Sequence, residues 1–168
     1  YYEDFKTSTY WLMGVGGAIG LLISIVFHEL WHSLIARRFG LPMKGITLFI
    51  FGGVAEMSDE PPSPKAEFFM SIAGPLSSII LGGVLFGIWF LLEGTGFSPP
   101  VLGVINYLAI INLILAGFNL LPAFPLDGGR ILRSILWAAK DNLKWATQIA
   151  SKIGNGFGVA LMLSLIHI

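Results

Sequence analysis

The chain has 168 residues, of which 55% are apolar and only 12% charged, with a mean hydropathy of +0.78. A typical soluble domain is about 25% charged, so this composition points to a lipid environment and excludes disorder. Ten basic residues balance ten acidic ones, which argues against a nucleic-acid partner; the absence of cysteine removes disulfides, thiol catalysis and thiolate metal sites.

A helix needs about 20 apolar residues to cross about 30 Å of hydrocarbon. The charge-free window 7–27 predicts a first crossing, and it runs into Phe27-His28-Glu29-Leu30-Trp31-His32. This is an H-E-x-x-H motif. Residues four apart share a helix face, so both imidazoles can address one ion while Glu29 stands beside them to exchange a proton with water. Neutral imidazole suits Zn²⁺, which in catalytic sites keeps three protein ligands and one open position. Two core histidines matching by chance is the plainer reading. Ionisable groups abutting a charge-free span are costly and usually functional, which favours the metal.

Residues 40–65 follow. The β-branched and aromatic run from Ile46 to Met57, with Gly52-Gly53 at its centre, predicts a short strand or hairpin. An extended substrate could pair with its edge; the same segment also reads as a structural plug at the membrane interface. Pro61-Pro62-Ser63-Pro64 reads as a stop and a linker. Window 68–92 predicts a second crossing, kinked at Gly74-Pro75. Window 94–126 exceeds one crossing: Pro99-Pro100 marks a turn, a span starts near Val101, and Pro122 and Pro125 break its end. A fourth candidate follows Trp145 and contains Lys152 and several glycines. Gly14, Gly16, Gly17 and Gly20 in the first span, and Gly82, Gly83 and Gly87 in the second, permit close helix packing. The expected architecture is an all-α polytopic membrane protein. It is a bundle of about four transmembrane helices, with a small membrane-associated β-hairpin between the first two, in a single domain over residues 1–168. Arg37, Arg38, Lys44 and Lys65, and then Arg130, Arg133, Lys140 and Lys144, fall on one side of three crossings, which marks that side as cytosolic. Arg130 and Arg133 read as solvated or lipid-facing anchors.

A third metal ligand is needed. His167 sits at the extreme end of a weak segment. Asp127 closes the broken stretch that runs from Asn119 through Pro122 and Pro125, on the side where the first span ends at His32. Irregular backbone at membrane depth is tolerated where it is buried or lines a wet cavity. Asp127-Gly128-Gly129 also reads as a simple turn with Asp127 capping the next helix. The shared depth with H-E-x-x-H favours the ligand.

His28-Glu29-Leu30-Trp31-His32 followed by Asn119-x-x-Pro122-x-x-Pro125-Leu126-Asp127-Gly128 resembles the site-2 protease family of intramembrane zinc metalloproteases. Phe51-Gly52-Gly53-Val54 and Ala73-Gly74-Pro75-Leu76 resemble family segments between those motifs. The resemblance implies His28, His32 and Asp127 as ligands of one Zn²⁺. It implies Glu29 as catalytic acid/base and Asn119 as a helper that hydrogen-bonds substrate or oxyanion. It also implies a transmembrane protein as substrate and a regulatory domain or partner outside this chain, as in the bacterial and archaeal branch that often carries CBS domains. Trp31 departs from the small residue usual at its place. The family crossing that precedes H-E-x-x-H is absent, and residues 163–168 read as non-native, so a truncated membrane core is expected.

Two rival functions stand beside the protease. A metal-ion transporter tends to show a repeated half, and no repeat is visible. An inactive relative that binds partner helices would dispense with Glu29, which is intact.

Overall fold

The computed structural model describes residues 5–41, 43–49, 52–57 and 60–166. Five helices carry the fold: α1 (Thr7–Arg38), α2 (Pro64–Leu92), α3 (Pro99–Asn119), α4 (Asp127–Lys140) and α5 (Leu143–Ile166). At 1.5 Å per residue α1 is about 48 Å long, so the histidine motif lies near its C-terminal end. The proline cluster that ends the linker starts α2: Pro64 occupies its first turn, and Ser63 Oγ accepts a hydrogen bond from the Ala66 amide at 3.1 Å. Pro99 and Pro100 likewise open α3. Helix α2 is central, packing against α1, α3 and α4, and α5 packs on α4.

The expected architecture needs correction. Among the described residues three helices, α1, α2 and α3, are long and apolar enough to cross a membrane; α5 is not among them. Three spans are thus supported where about four were expected. Membrane association of the segment between the first two spans is not supported either. Backbone pairing links Met43–Phe49 (β1) and Gly52–Met57 (β2) antiparallel, with Ile46 opposite Ala55 and Phe49 opposite Gly52. The connecting Ile50 and Phe51, and the side chains of both segments, lie outside the described residues, and a lone two-stranded ribbon is marginal by itself. The fold that positions the site is helical.

The packing is that of a protein in lipid. Large apolar side chains such as Trp11, Leu12, Ile23, Phe90 and Leu91 are exposed, whereas the buried set is mostly small: Ala36, Ala66, Ala73, Ala109, Ala116, Ser24, Ser71 and Ser78. Lipid tails offer no hydrophobic gain for clustering leucines, so helices associate through small residues and hydrogen bonds. Between α1 and α3, fully buried Asn112 donates from Nδ2 to Ser24 Oγ at 2.9 Å. At the same contact a Cβ on Gly20 would lie 2.5 Å from a Leu108 methyl. Gly82 likewise abuts the Ala109 carbonyl, but among the described residues Gly14, Gly83 and Gly87 face no neighbour within 4 Å and show no packing role.

Candidate metal centre

The apolar stretch of α1 forces a long helix, and the helical repeat places His28 and His32 on the same face, one turn apart. Both are buried against α2. Their Nε2 atoms are 3.1 Å apart, and each lies 3.2 Å from Oδ2 of Asp127, the first residue of α4. Three potential ligand atoms from two helices thus form a nearly equilateral triangle. A four-coordinate ion with bonds of about 2.0–2.2 Å sets its ligands about 3.3 Å apart; the observed edges fit one face of that tetrahedron. Among the described residues this is the group of His, Asp and Glu side chains able to hold a metal ion.

The outer nitrogens orient the rings. His32 Nδ1–H donates to the Met70 carbonyl of α2 at 2.6 Å, and His28 Nδ1 is 3.0 Å from Ser78 Oγ, about two turns further along the same face of α2. A proton held on Nδ1 leaves the Nε2 lone pair free for a metal. Room in front of those lone pairs is kept by Gly74: a Cβ there would sit 2.1 Å from His32 Nε2 and 2.5 Å from His28 Nε2.

Asp127 reaches the cluster because the α3–α4 connection folds back over the start of α4. Leu120 caps α3, and Leu126 donates its amide to the Ala123 carbonyl at 2.9 Å. A Cβ at Gly128 would fall 2.2 Å from the Leu120 carbonyl oxygen, so this close return requires glycine. Leu126 rather than Asp127 occupies the N-cap of α4, and the Asp127 side chain faces the imidazoles. Burial pushes its carboxyl up and the two imidazoles facing it push it down; the net effect is a lowering, to about 2, so the group is anionic at neutral pH.

Glu29 is half-buried and near enough to His28, His32 and Asp127 for their charges to act on it. Asn119 is not in the hydrogen-bond cluster: its Nδ2 donates to the Leu115 carbonyl of its own helix at 2.9 Å. Trp31 is exposed and packs edge-on against Phe27, with ring centroids 6.1 Å apart. His167 lies outside the described residues.

Sequence reasoning missed several groups around the site. Ser78 and Met70 carry no motif of their own. Glu67, at the start of α2, has no exposed surface and accepts from Arg133. That overturns the reading of Arg133 as a solvated or lipid-facing anchor: its guanidinium is spent inside the bundle. Arg130 is also mostly shielded; burial lowers its pKa, and the carboxylates of Glu67 and Asp127 counter that.

The model of peptidase family M50 matches residues 16–99 and 95–165. The sll0528 protein of Synechocystis sp. is 44% identical over 94% of this chain and 41% of its own length. Zinc metalloprotease MJ0392 of Methanocaldococcus jannaschii is 43% identical over 85% of this chain and 40% of its own length. The solved site-2 protease from Methanocaldococcus jannaschii superposes with a TM-score of 0.68 at 40% identity, covering 89% of this chain and 67% of that one. The chain spans about two fifths of the length of these curated relatives. With both family segments matched and the paired histidine and aspartate motifs brought to one point, the chain belongs to peptidase family M50.

Proposed function

We propose that this chain is the membrane core of a zinc metalloprotease that hydrolyses peptide bonds in or near transmembrane segments of other membrane proteins. The observation that carries this is the ligand triangle of His28, His32 and Asp127, with edges of 3.1–3.2 Å and Glu29 beside it. Two imidazoles and one carboxylate form a donor set suited to Zn²⁺. Zinc bound there supplies Lewis acidity, which polarises a carbonyl and makes water nucleophilic near neutral pH. Glu29 then acts as the proton carrier, taking a proton from the attacking water and returning it to the leaving amide nitrogen. Asn119 donates one amide hydrogen to the Leu115 carbonyl; in this reading its second amide hydrogen steadies the carbonyl oxygen of the substrate. Three apolar spans support a multi-pass location in a bacterial or archaeal cell membrane, and the basic residues flanking them support a cytosolic orientation of the site.

The test uses purified protein in detergent with a model transmembrane substrate. Glu29→Gln should keep its zinc and lose at least about 100-fold in cleavage rate, the lower end of general acid–base contributions. A variant that still cuts at the wild-type rate removes Glu29 from the mechanism. A wild-type protein that binds no zinc removes the reading altogether.

A further inference from the structure

Glu67 belongs to the first turn of α2, at an end of an apolar span, and has no solvent-exposed surface. A carboxylate there is costly unless paired. Its Oε1 accepts from Arg133 Nε at 2.8 Å and also from Arg133 Nη2. The same guanidinium lies over the Phe124 ring, 5.6 Å from its centroid. The placement of these groups in the chain is informative. Arg133 stands on α4 after Asp127, and Phe124 stands in the connection before it, so one guanidinium engages both flanks of Asp127. At its other end, Glu67 is one helical turn from Met70, whose carbonyl orients His32. A single turn of α2 therefore serves as the reference for ligands delivered by two other elements.

We infer that the Glu67–Arg133 pair is the positioning element of the metal centre: it sets the distance between the Asp127 carboxylate and the paired imidazoles. This rests on the zinc reading above. The competing role is helix packing alone, which would contribute stability and leave the geometry of the bound metal untouched.

The experiment measures zinc affinity by chelator competition and the visible absorption of the cobalt-substituted protein, with circular dichroism as the check on folding. It compares wild type, Glu67→Gln, Arg133→Lys and Asp127→Ala in detergent. Glu67→Gln removes the charge. Arg133→Lys keeps the charge but cannot donate from two nitrogens of one plane or lie flat on a ring. Both should remain helical, bind zinc about 10–100-fold more weakly, and show altered cobalt bands, because a displaced carboxylate changes the ligand geometry. The double variant Glu67→Gln/Arg133→Gln should lose no more affinity than Glu67→Gln alone, since both changes break one link. Folded single variants with wild-type zinc affinity and cobalt spectrum overturn the inference. If neither single variant folds, Phe124→Leu decides: it removes only the ring under the guanidinium, and an unchanged cobalt spectrum overturns the inference. Wild type that binds neither metal refutes the zinc reading, and this inference with it. If wild type binds, Asp127→Ala does not, and the pair variants are unaffected, the positioning role alone is refuted.

Discussion

Gly74→Ala adds one carbon to a helix that should otherwise welcome it, since alanine is favoured over glycine in a helix interior by about 1 kcal/mol. The carbon would stand 2.1 Å from His32 Nε2, 2.6 Å from His32 Cε1 and 2.5 Å from His28 Nε2. Attractive contacts between non-bonded heavy atoms begin at about 3.5 Å, so each ring would have to retreat by roughly 1 Å. Neither is free to do so. His32 is tied to the Met70 carbonyl at 2.6 Å and His28 to Ser78 at 3.0 Å, so retreat breaks the bonds that orient the lone pairs. The added methyl also takes the space those lone pairs face. The expected loss in zinc affinity is at least about 100-fold, the upper end of the cost of disturbing groups behind metal ligands, or about 2.8 kcal/mol. Chelator competition on the purified protein measures it, with circular dichroism recorded in parallel. Gly83→Ala is the matched control: it lies on the same helix and meets nothing within 4 Å, so zinc affinity should stay at the wild-type value. A folded Gly74→Ala protein that binds zinc as tightly as wild type would refute the reasoning.

Two further outcomes follow from the same contacts. Ser78→Ala removes the partner of His28 Nδ1 and should weaken zinc binding about 10-fold with little effect on the melting temperature; an unchanged dissociation constant would mean that the hydroxyl does not hold the ring. Gly20→Ala should lower the melting temperature in detergent, because its Cβ would press within 2.5 Å of Leu108, and adding Leu108→Ala should restore part of the loss. Strictly additive effects in that double-mutant cycle would show that the two positions do not share a contact.

Much of the candidate centre was legible in the residues themselves. His28 and His32 share a helix face wherever that helix packs, because four residues make about one turn. The length and apolarity of 7–27, 68–92 and the stretch after Val101 required spans whatever their neighbours. Asp127 could be singled out by the broken backbone before it, but its arrival beside the imidazoles depends on the Leu120–Leu126 connection folding back over Gly128, a long-range fact. Local pattern was least informative for groups whose meaning is a partner far along the chain. Arg133 looks like any interfacial arginine until Glu67, 66 residues earlier, is found beneath it. Ser78 and Gly74 look like ordinary small residues of a span until α1 is laid across them. The fourth span is a different case: composition after Trp145 suggested a crossing, and the helix there, α5, is not among the three that qualify within the described residues. Periodicity along one helix is set by bonds between near neighbours and can be read from sequence. Which faces meet, and which charge answers which, is settled only when separate helices pack, because those energies depend on distances that no local pattern encodes.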